Sequence, residues 1–260
     1  MRVKLVITDL DNTLLRRDKT VSDRTVQAFR RLRELGIRTS FATARPKRAV
    51  FQYLDILEKI EFDAMVFHNG AVIYCGGALA ANYGISPEMA GELSREFARM
   101  GLRVGVEIDD RNYANYDAGA EWEGMQYVLT DFAYLPDKPA DKIIIHKPEK
   151  ADIERVQAML PENLYVEMNE GVLGLIMSRE ATKLRAMRFL SEKYGVAPPE
   201  IAAFGDDLND VEMLRESGFG VAVSNALDDV KAAADHICGD CDDCGVAQWL
   251  ERRVIAESGR

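Results

Sequence analysis

The stretch Val3-Lys4-Leu5-Val6-Ile7-Thr8-Asp9-Leu10-Asp11-Asn12-Thr13-Leu14-Leu15 sets the reading of the whole chain. Its first half is a short apolar run suited to a buried strand, and it ends in acid. A signal peptide would carry a longer apolar stretch and a small-residue cleavage site, so a strand over residues 3–8 is expected instead. In open parallel sheets, ligands bind outside the carboxyl ends of the strands, and Asp9 and Asp11 stand there. Period-2 geometry sends both to one side if the strand geometry persists. Two carboxylates held together repel unless a cation lies between them or one is protonated. A hard, oxygen-binding ion such as magnesium answers the first need. A carboxylic acid able to protonate a leaving group answers the second. Taken alone, the segment also fits a strand end followed by the polar turn that Asp and Asn favour.

Outward from this strand the chain alternates β-branched runs with helical patterns. Ser22 can cap a helix in which Val26, Phe29, Leu32 and Leu35 recur, ended by Gly36. Residues 37–43 and 64–67 read as further strands, so the order is βαβ and the sheet parallel. The pattern changes after about Gly70. Ser86-Pro87 opens a helix carrying Met89, Leu93 and Phe97, closed by Gly101. Shorter alternating segments follow at 103–108, 112–116, 142–146, 165–168 and 173–177, with a helix over 151–160 among them. This block reads as a small α+β unit with an antiparallel sheet. From Thr182 the first pattern returns, with a helix to Gly195, a strand at 201–204, a helix over 208–217 and a strand at 220–223. A last helix carries Val246, Leu250 and Val254. The expected architecture is α/β: a Rossmann-like parallel-sheet core, residues 1–80 and 182–260, with an inserted α/β cap domain over 81–181.

The 260 residues are 47% hydrophobic and 29% charged, a composition with ample material for a core. The formal net charge of -10 argues against nucleic acid or anionic membrane as partners, since both need a basic footprint. It leaves an anionic small molecule open, because a bound cation and a few placed donors reverse the field locally. No apolar run is long enough for a membrane span. Four cysteines do not make a disulfide scaffold, and a reducing cytoplasm is the expected setting.

Three further segments add to the first. Thr43 closes the second strand and leads into Ala44-Arg45-Pro46, where a hydroxyl and backbone N–H groups can hold phosphate oxygens. Gly205-Asp206-Asp207-Leu208-Asn209-Asp210 again puts acids at a strand end and a helix mouth, more of them than a cap requires. Lys183 opens the third αβ pattern; a lone lysine is usually a solvated surface charge, and its case rests on the other segments.

Together Asp9-x-Asp11-x-Thr13-Leu14, Thr43, Lys183 and Gly205-Asp206-x-x-Asn209-Asp210 resemble the four-motif signature of the haloacid dehalogenase-like (HAD) hydrolase superfamily. The long insertion between the second and third motifs is similar to the type-2 cap of the Cof-like phosphatases. Asn69-Gly70-Ala71 resembles the turn where such chains leave the core, and Asn225-Ala226 and Gly245-Val246-Ala247 match that group's C-terminal pattern.

The resemblance implies a nucleophile at Asp9, which would form an aspartyl-phosphate, and an acid/base at Asp11. It implies that Thr43, the Ala44 N–H and Lys183 hold the transferring phosphoryl oxygens, with Arg45, Asn69 and Asn209 also on the substrate side. The implied magnesium ligands are Asp9, Asp206 and the Asp11 backbone carbonyl. Asp210 is either a direct ligand or a holder of metal-bound waters, and Asp207 has no assigned role. Two positions depart from the family pattern: Ala44 stands where Gly is frequent, and Glu180-Ala181-Thr182 replaces the usual Gly-Val-Ser before Lys183. The implied activity is magnesium-dependent hydrolysis of a small phosphorylated metabolite, such as a sugar phosphate or a phosphoglycolate-like acid, by a monomer or homodimer. The cap would close over the cleft and choose the leaving group. A phosphomutase of the same fold and a catalytically silent binding protein are the alternatives, and turnover separates the three.

Cys238, Cys241 and Cys244 form C-x-x-C-x-x-C in an acidic stretch, with only Asp240 or His236 near as a fourth metal ligand. They read as loop cysteines, open to oxidation. His68, His146 and His236 read as structural, although His68 could reach the cleft. Tyr113, Tyr116, Trp122 and Tyr127 read as core of the inserted unit rather than as a substrate face.

Overall fold

Leu5, Val6 and Ile7 are buried on both faces, as a central parallel strand requires, and they form β1 (Leu5–Thr8). The computed structural model describes residues 3–120, 126–169 and 171–256. After β1 come α1 (Asp23–Glu34), β2 (Arg38–Ala42), α2 (Lys47–Tyr53), α3 (Ile56–Lys59), β3 (Ala64–Phe67), β4 (Val72–Cys75) and β5 (Ala78–Asn82). Ser22 caps α1 as the sequence suggests, its hydroxyl accepting the Thr25 N–H at 3.0 Å. Gly76 and Gly77, both at positive φ, make the two-residue turn between β4 and β5.

The insertion contains α4 (Pro87–Arg99), β6 (Val104–Ile108), β7 (Arg111–Ala114), β8 (Tyr127–Leu129), β9 (Lys142–His146), α5 (Lys150–Met159), β10 (Leu164–Asn169) and β11 (Leu173–Ser178). Its six strands run in the order β10-β11-β9-β6-β7-β8. All neighbours are antiparallel except β7 and β8, which pair in parallel, so the sheet is mixed rather than purely antiparallel. Val104, Val106, Ile108, Ile143, Ile145 and Ile176 pack from the sheet into a cluster with Phe97 and Val156. Each such burial contributes about 1.5–3 kcal/mol. Tyr113 packs against the same cluster, Tyr116 stacks on His146 at 5.2 Å, and the Tyr127 hydroxyl donates to Asp117 at 2.8 Å. Trp122 lies outside the described residues.

The chain then returns with α6 (Lys183–Tyr194), β12 (Ile201–Gly205), α7 (Val211–Glu216), β13 (Phe219–Ala222), α8 (Asp228–Ala233), β14 (His236–Ile237) and α9 (Gly245–Leu250). Two compact units result, Met1–Ala80 with Thr182–Arg260, and Ala81–Ala181. In the first, the strand order is β14-β13-β12-β1-β2-β3-β4-β5, parallel from β14 to β3. The single helix expected over 208–217 is a short turn at Leu208–Asp210 followed by α7. The strand order reverses direction around β1, which has β2 on one side and β12 on the other. Such a reversal opens a crevice at the carboxyl ends of the strands. No helix among the described residues is long and apolar enough to cross a membrane.

Candidate active site

Asp9, Thr43 and Asp206 each follow the last residue of a strand, β1, β2 and β12, at that reversal. The Asp9 N–H still donates to Phe204 O at 2.9 Å, and there the strand geometry stops. Residues 10–14 form one wide turn, closed by the Leu15 N–H on Leu10 O at 2.8 Å. Asn12 sits at φ +55, a left-handed conformation that Asn tolerates better than most residues. Its carbonyl accepts from Asn225 Nδ2 at 2.7 Å. The condition under which strand periodicity would send Asp9 and Asp11 to one side, that the strand geometry persists, is therefore not met. The backbone leaves the strand between them, and the two carboxylates have separate partners.

Asp9 is 6% exposed and Lys183 1%. Lys183 is the first residue of α6, whose cap is Thr182, accepting the Arg185 N–H at 3.0 Å. Lys183 Nζ donates to Asp9 Oδ1 at 2.6 Å and to Asp210 Oδ1 at 2.8 Å. Asp210, fully buried, uses its other oxygen to accept the N–H groups of Asp206 and Asp207 at 3.1 and 3.2 Å. That fit depends on Gly205, because a Cβ there would lie 2.3 Å from Asp210 Cγ. Asp206 accepts from Thr13 Oγ1 at 2.6 Å.

Asp9, Asp206 and Asp210 each present an oxygen within 4.8 Å of the others. Three carboxylates against one ammonium leave two negative charges unmatched. Burial drives the Asp9 carboxyl above its ordinary range; Lys183 opposes the rise, and Asp210 and Asp206 add to it. Burial likewise lifts Asp206 to about 6, against the hydrogen bond from Thr13. Burial also works against the charge on Lys183, but Asp210 and Asp9 outweigh it and hold the ammonium above its usual value. A hard divalent cation fits such a donor set in both charge and oxygen chemistry.

Asp11 lies in different company. Arg45 grips it in a two-pronged ion pair, Nε to Oδ2 at 2.6 Å and an Nη to Oδ1 at 2.7 Å. Lys19 Nζ adds a third contact at 2.9 Å. Burial works to raise this carboxyl, but the hydrogen bonds from Arg45 and Lys19 prevail and hold it below the usual range. Thr43, 1% exposed, accepts the Arg45 N–H on its hydroxyl at 3.1 Å, and Ala44 beside it is exposed. Asn69, at φ +58, donates its N–H to Thr43 O at 2.9 Å and accepts from Asn209 Nδ2 at 2.9 Å. All ten residues singled out in the sequence thus lie on the loops at the carboxyl ends of β1, β2, β3 and β12 or, for Lys183, open α6.

One residue escaped the sequence reading, and a second stood in it without a role. Lys19 reaches Asp11 from a tight turn in which its own φ is +68, and Asn225 holds Asn12 from the loop after β13. A lysine eight residues past an aspartate carries no signal by itself. Asn225 was visible only as part of a family pattern. His68 is buried, its N–H donating to Arg45 O at 3.1 Å, and His236 lies against Trp249.

Residues 6–250 match the model of a family described as haloacid dehalogenase-like hydrolase. The HMP-PP phosphatase of Cronobacter sakazakii is 29% identical, over 93% of this chain and 92% of its own. Phosphoglycolate phosphatase 1 of Saccharolobus solfataricus is 26% identical, over 98% of this chain and 97% of its own. An X-ray crystal structure of a Thermotoga maritima protein superposes with a TM-score of 0.85 at 25% identity, covering 96% of this chain and 97% of that one. With the motif residues gathered at the strand ends and the match running through both halves of the core, the chain belongs to the haloacid dehalogenase-like hydrolases.

Proposed function

We propose that this enzyme is a magnesium-dependent phosphatase that hydrolyses a small phosphate monoester through an aspartyl-phosphate on Asp9. The observation that carries the reading is the buried Asp9, fixed through one oxygen by Lys183 and set beside Asp206 and Asp210. Lys183 takes Oδ1, which leaves Oδ2 of Asp9 to attack phosphorus. The Asp9–phosphorus bond forms as the ester bond breaks, and Asp11 gives its proton to the departing alkoxide. Asp11 then takes a proton from the water that cleaves the aspartyl-phosphate, and inorganic phosphate leaves.

For the first step Asp11 must carry a proton, which the Arg45 grip opposes. Substrate oxygens offer that guanidinium another partner, and its transfer to them frees Asp11. The Thr43 hydroxyl, already accepting from Arg45 N–H, keeps its own proton to donate to a phosphoryl oxygen, beside the Ala44 N–H. Asn209 and Asn69 orient each other at the edge of the same site. Asp9, Asp206 and the Asp11 carbonyl would hold the magnesium ion. Asp210, with both oxygens engaged, serves better as the holder of Lys183 and of the 206–207 backbone. When bound, the ion would supply positive charge against the phosphoryl oxygens and the crowded carboxylates.

The relatives' names span an HMP-PP phosphatase and a phosphoglycolate phosphatase, at 29% and 26% identity. We infer a small phosphorylated metabolite as the substrate, with leaving-group preference supplied by the inserted unit. The test is phosphate release from p-nitrophenyl phosphate with magnesium and with EDTA, for wild type and Asp9→Asn. Release that needs magnesium and vanishes in Asp9→Asn is expected. Release unchanged in Asp9→Asn would remove Asp9 as nucleophile.

A further inference from the structure

The C-x-x-C-x-x-C segment is absorbed by neither the fold nor the proposed chemistry. It is not a preformed thiolate metal site. Among the described residues, the group around it that lies within ligating reach is Asp240, Cys241 and Asp242, without Cys238 or Cys244. Both of those carboxylates already belong to Arg17, which reaches Asp240 at 3.0 and 3.1 Å and pairs with Asp242 as well.

The geometry of the second C-x-x-C points elsewhere. The Cys244 N–H donates to Cys241 O at 3.2 Å, so residues 241–244 form a tight turn. Such a turn brings the two Cα atoms within about 7 Å, inside the range a disulfide can bridge. Cys241 is 1% exposed, whereas Cys244 is part-exposed and sits at φ +60, a conformation uncommon outside glycine. Cys244 Sγ is turned toward α1 and the turn before it. It lies 3.0 Å from the Ser22 hydroxyl and accepts from Arg16 Nη at 3.6 Å. Arg16 Nε is buried with no hydrogen-bond partner among the described residues, so the thiol is the guanidinium's main contact. A negatively charged sulfur at Cys244 would have a cation against it. Burial meanwhile pushes the Cys241 thiol up to about 11 and Cys238 to about 12, so neither is the first to react.

The same loop is tied to the candidate active site by three routes. The Cys241 N–H donates to Asn225 Oδ1 at 2.9 Å, and Asn225 holds the Asn12 carbonyl beside Asp11. Arg17 pairs with Asp240 and Asp242, and its N–H donates to Asp242 at 3.0 Å. Arg16, on Cys244, begins the turn closed by Arg16 N–H to Thr20 O and by Lys19 N–H to Arg16 O, and that turn delivers Lys19 to Asp11.

We propose that Cys241 and Cys244 are a reversible dithiol–disulfide pair whose oxidation removes the Cys244 anchor of the 16–20 turn and loosens that turn, while its Arg17 ties to the C-terminal loop stay in place. With a peroxide as oxidant, Cys244 sulfur attacks one peroxide oxygen. The O–O bond breaks, the leaving hydroxide takes the Cys244 thiol proton and departs as water, and Cys244 becomes a sulfenic acid. Cys241 sulfur then attacks Cys244 sulfur; the S–S bond forms, the S–O bond breaks, and the Cys241 proton leaves with the hydroxide as water. Two thiols and one peroxide thus give one disulfide and two waters, and a small dithiol reverses the change. The new bond draws Cys244 Sγ off Arg16 and Ser22, so the oxidised form lacks the contact that anchors Arg16.

The experiment treats the full-length protein with hydrogen peroxide and reads intact mass, a peptide map and amide exchange. The expected result is a loss of ~2 Da mapped to a Cys241–Cys244 cross-link, reversed by dithiothreitol. Exchange at the Arg16 and Lys19 amides should become roughly 3- to 30-fold faster in the oxidised form. Cys241→Ser should instead accumulate a dimedone-reactive Cys244, while Cys238→Ser keeps the pair. Oxygen addition without the ~2 Da loss, or a cross-link to Cys238, would overturn the pair. A cross-link with unchanged exchange at residues 16–20 would overturn the coupling. Neither readout needs turnover, so failure of the proposed phosphatase activity is distinguishable from failure here.

Discussion

Replacing Lys183 by Met removes one charge and keeps most of the side chain's length, and its cost follows from the geometry. Nζ lies 2.6 Å from Asp9 and 2.8 Å from Asp210, and all three side chains are nearly sealed from solvent. At an effective dielectric of about 20, each pair attracts by roughly 6 kcal/mol before desolvation. Removing the ammonium also removes its own desolvation cost, so breaking such a buried pair costs about 3–5 kcal/mol. The loss should depend on pH. Without Lys183, which opposes the rise of the buried Asp9 carboxyl, that carboxyl rises further in the folded state while its unfolded value stays at ~3.9. Groups raised on folding contribute stability at low pH and lose it as pH climbs through the folded value. In the wild type that carboxyl is already raised to about 8, so both proteins lose its contribution in parallel below that value, and Lys183→Met should lie closest to wild type at pH ~7 and farther from it at pH ~9. Urea unfolding in EDTA at the two pH values measures this, and magnesium in place of EDTA should restore part of the lost stability at pH ~9 by supplying charge to the same carboxylates. A variant equally destabilised at both pH values, or untouched by magnesium, would refute the picture of a carboxylate cluster short of positive charge.

Three further outcomes follow from the same contacts. Asp11→Asn should lower kcat for p-nitrophenyl phosphate by about 10²–10⁴-fold while leaving the protein folded, since it removes the proposed proton carrier and the charge paired with Arg45 and Lys19 at a part-exposed site; steady-state kinetics with circular dichroism checks both halves. Asp206→Asn should raise the magnesium concentration needed for half-maximal activity by at least ~10-fold, read by titration of the metal, because it removes one oxygen donor from the cluster. In the inserted unit, burial first and then the neighbouring Glu107 push the Asp141 carboxyl up to about 7, against the hydrogen bond from Asn82. Its contribution to stability is present below pH ~4 and is lost as pH rises through about 7. Asp141→Asn should therefore gain on wild type progressively over that window, by up to ~4 kcal/mol, in urea unfolding at a series of pH values.

What the sequence disclosed about the site, and what it withheld, divides along physical lines. Asp9, Thr43 and Asp206 were legible because a buried strand leaves a periodic apolar trace, and the residue that follows its end needs no further geometry to be placed. The hairpin of β4 and β5 was legible in principle, because Gly76-Gly77 between two short runs is a turn signal, yet it was not read as one. Lys183 ran against its local prior: nothing near it in the chain announces burial, and two carboxylates from β1 and the loop after β12 supply the reason it is inside. The surroundings of Asp11 were not legible, because strand periodicity would place it beside Asp9 only if the strand continued. The wide turn at residues 10–14, with Asn12 left-handed, ends that periodicity and gives Asp11 to Arg45 and Lys19 instead of to the metal-type cluster. This difference has chemical content. Two carboxylates on one face would compete for one cation, whereas two carboxylates with opposite surroundings can take opposite roles. Asp9 sits among acids and one lysine, so its charge is matched only when a cation joins it. Asp11 sits among cations, so it takes a proton only when Arg45 leaves. On the proposed mechanism a phosphorylated substrate would draw on both conditions, its oxygens recruiting the guanidinium from Asp11 as its phosphorus meets Asp9. These different surroundings would suit one carboxylate to the role of nucleophile and the other to that of acid.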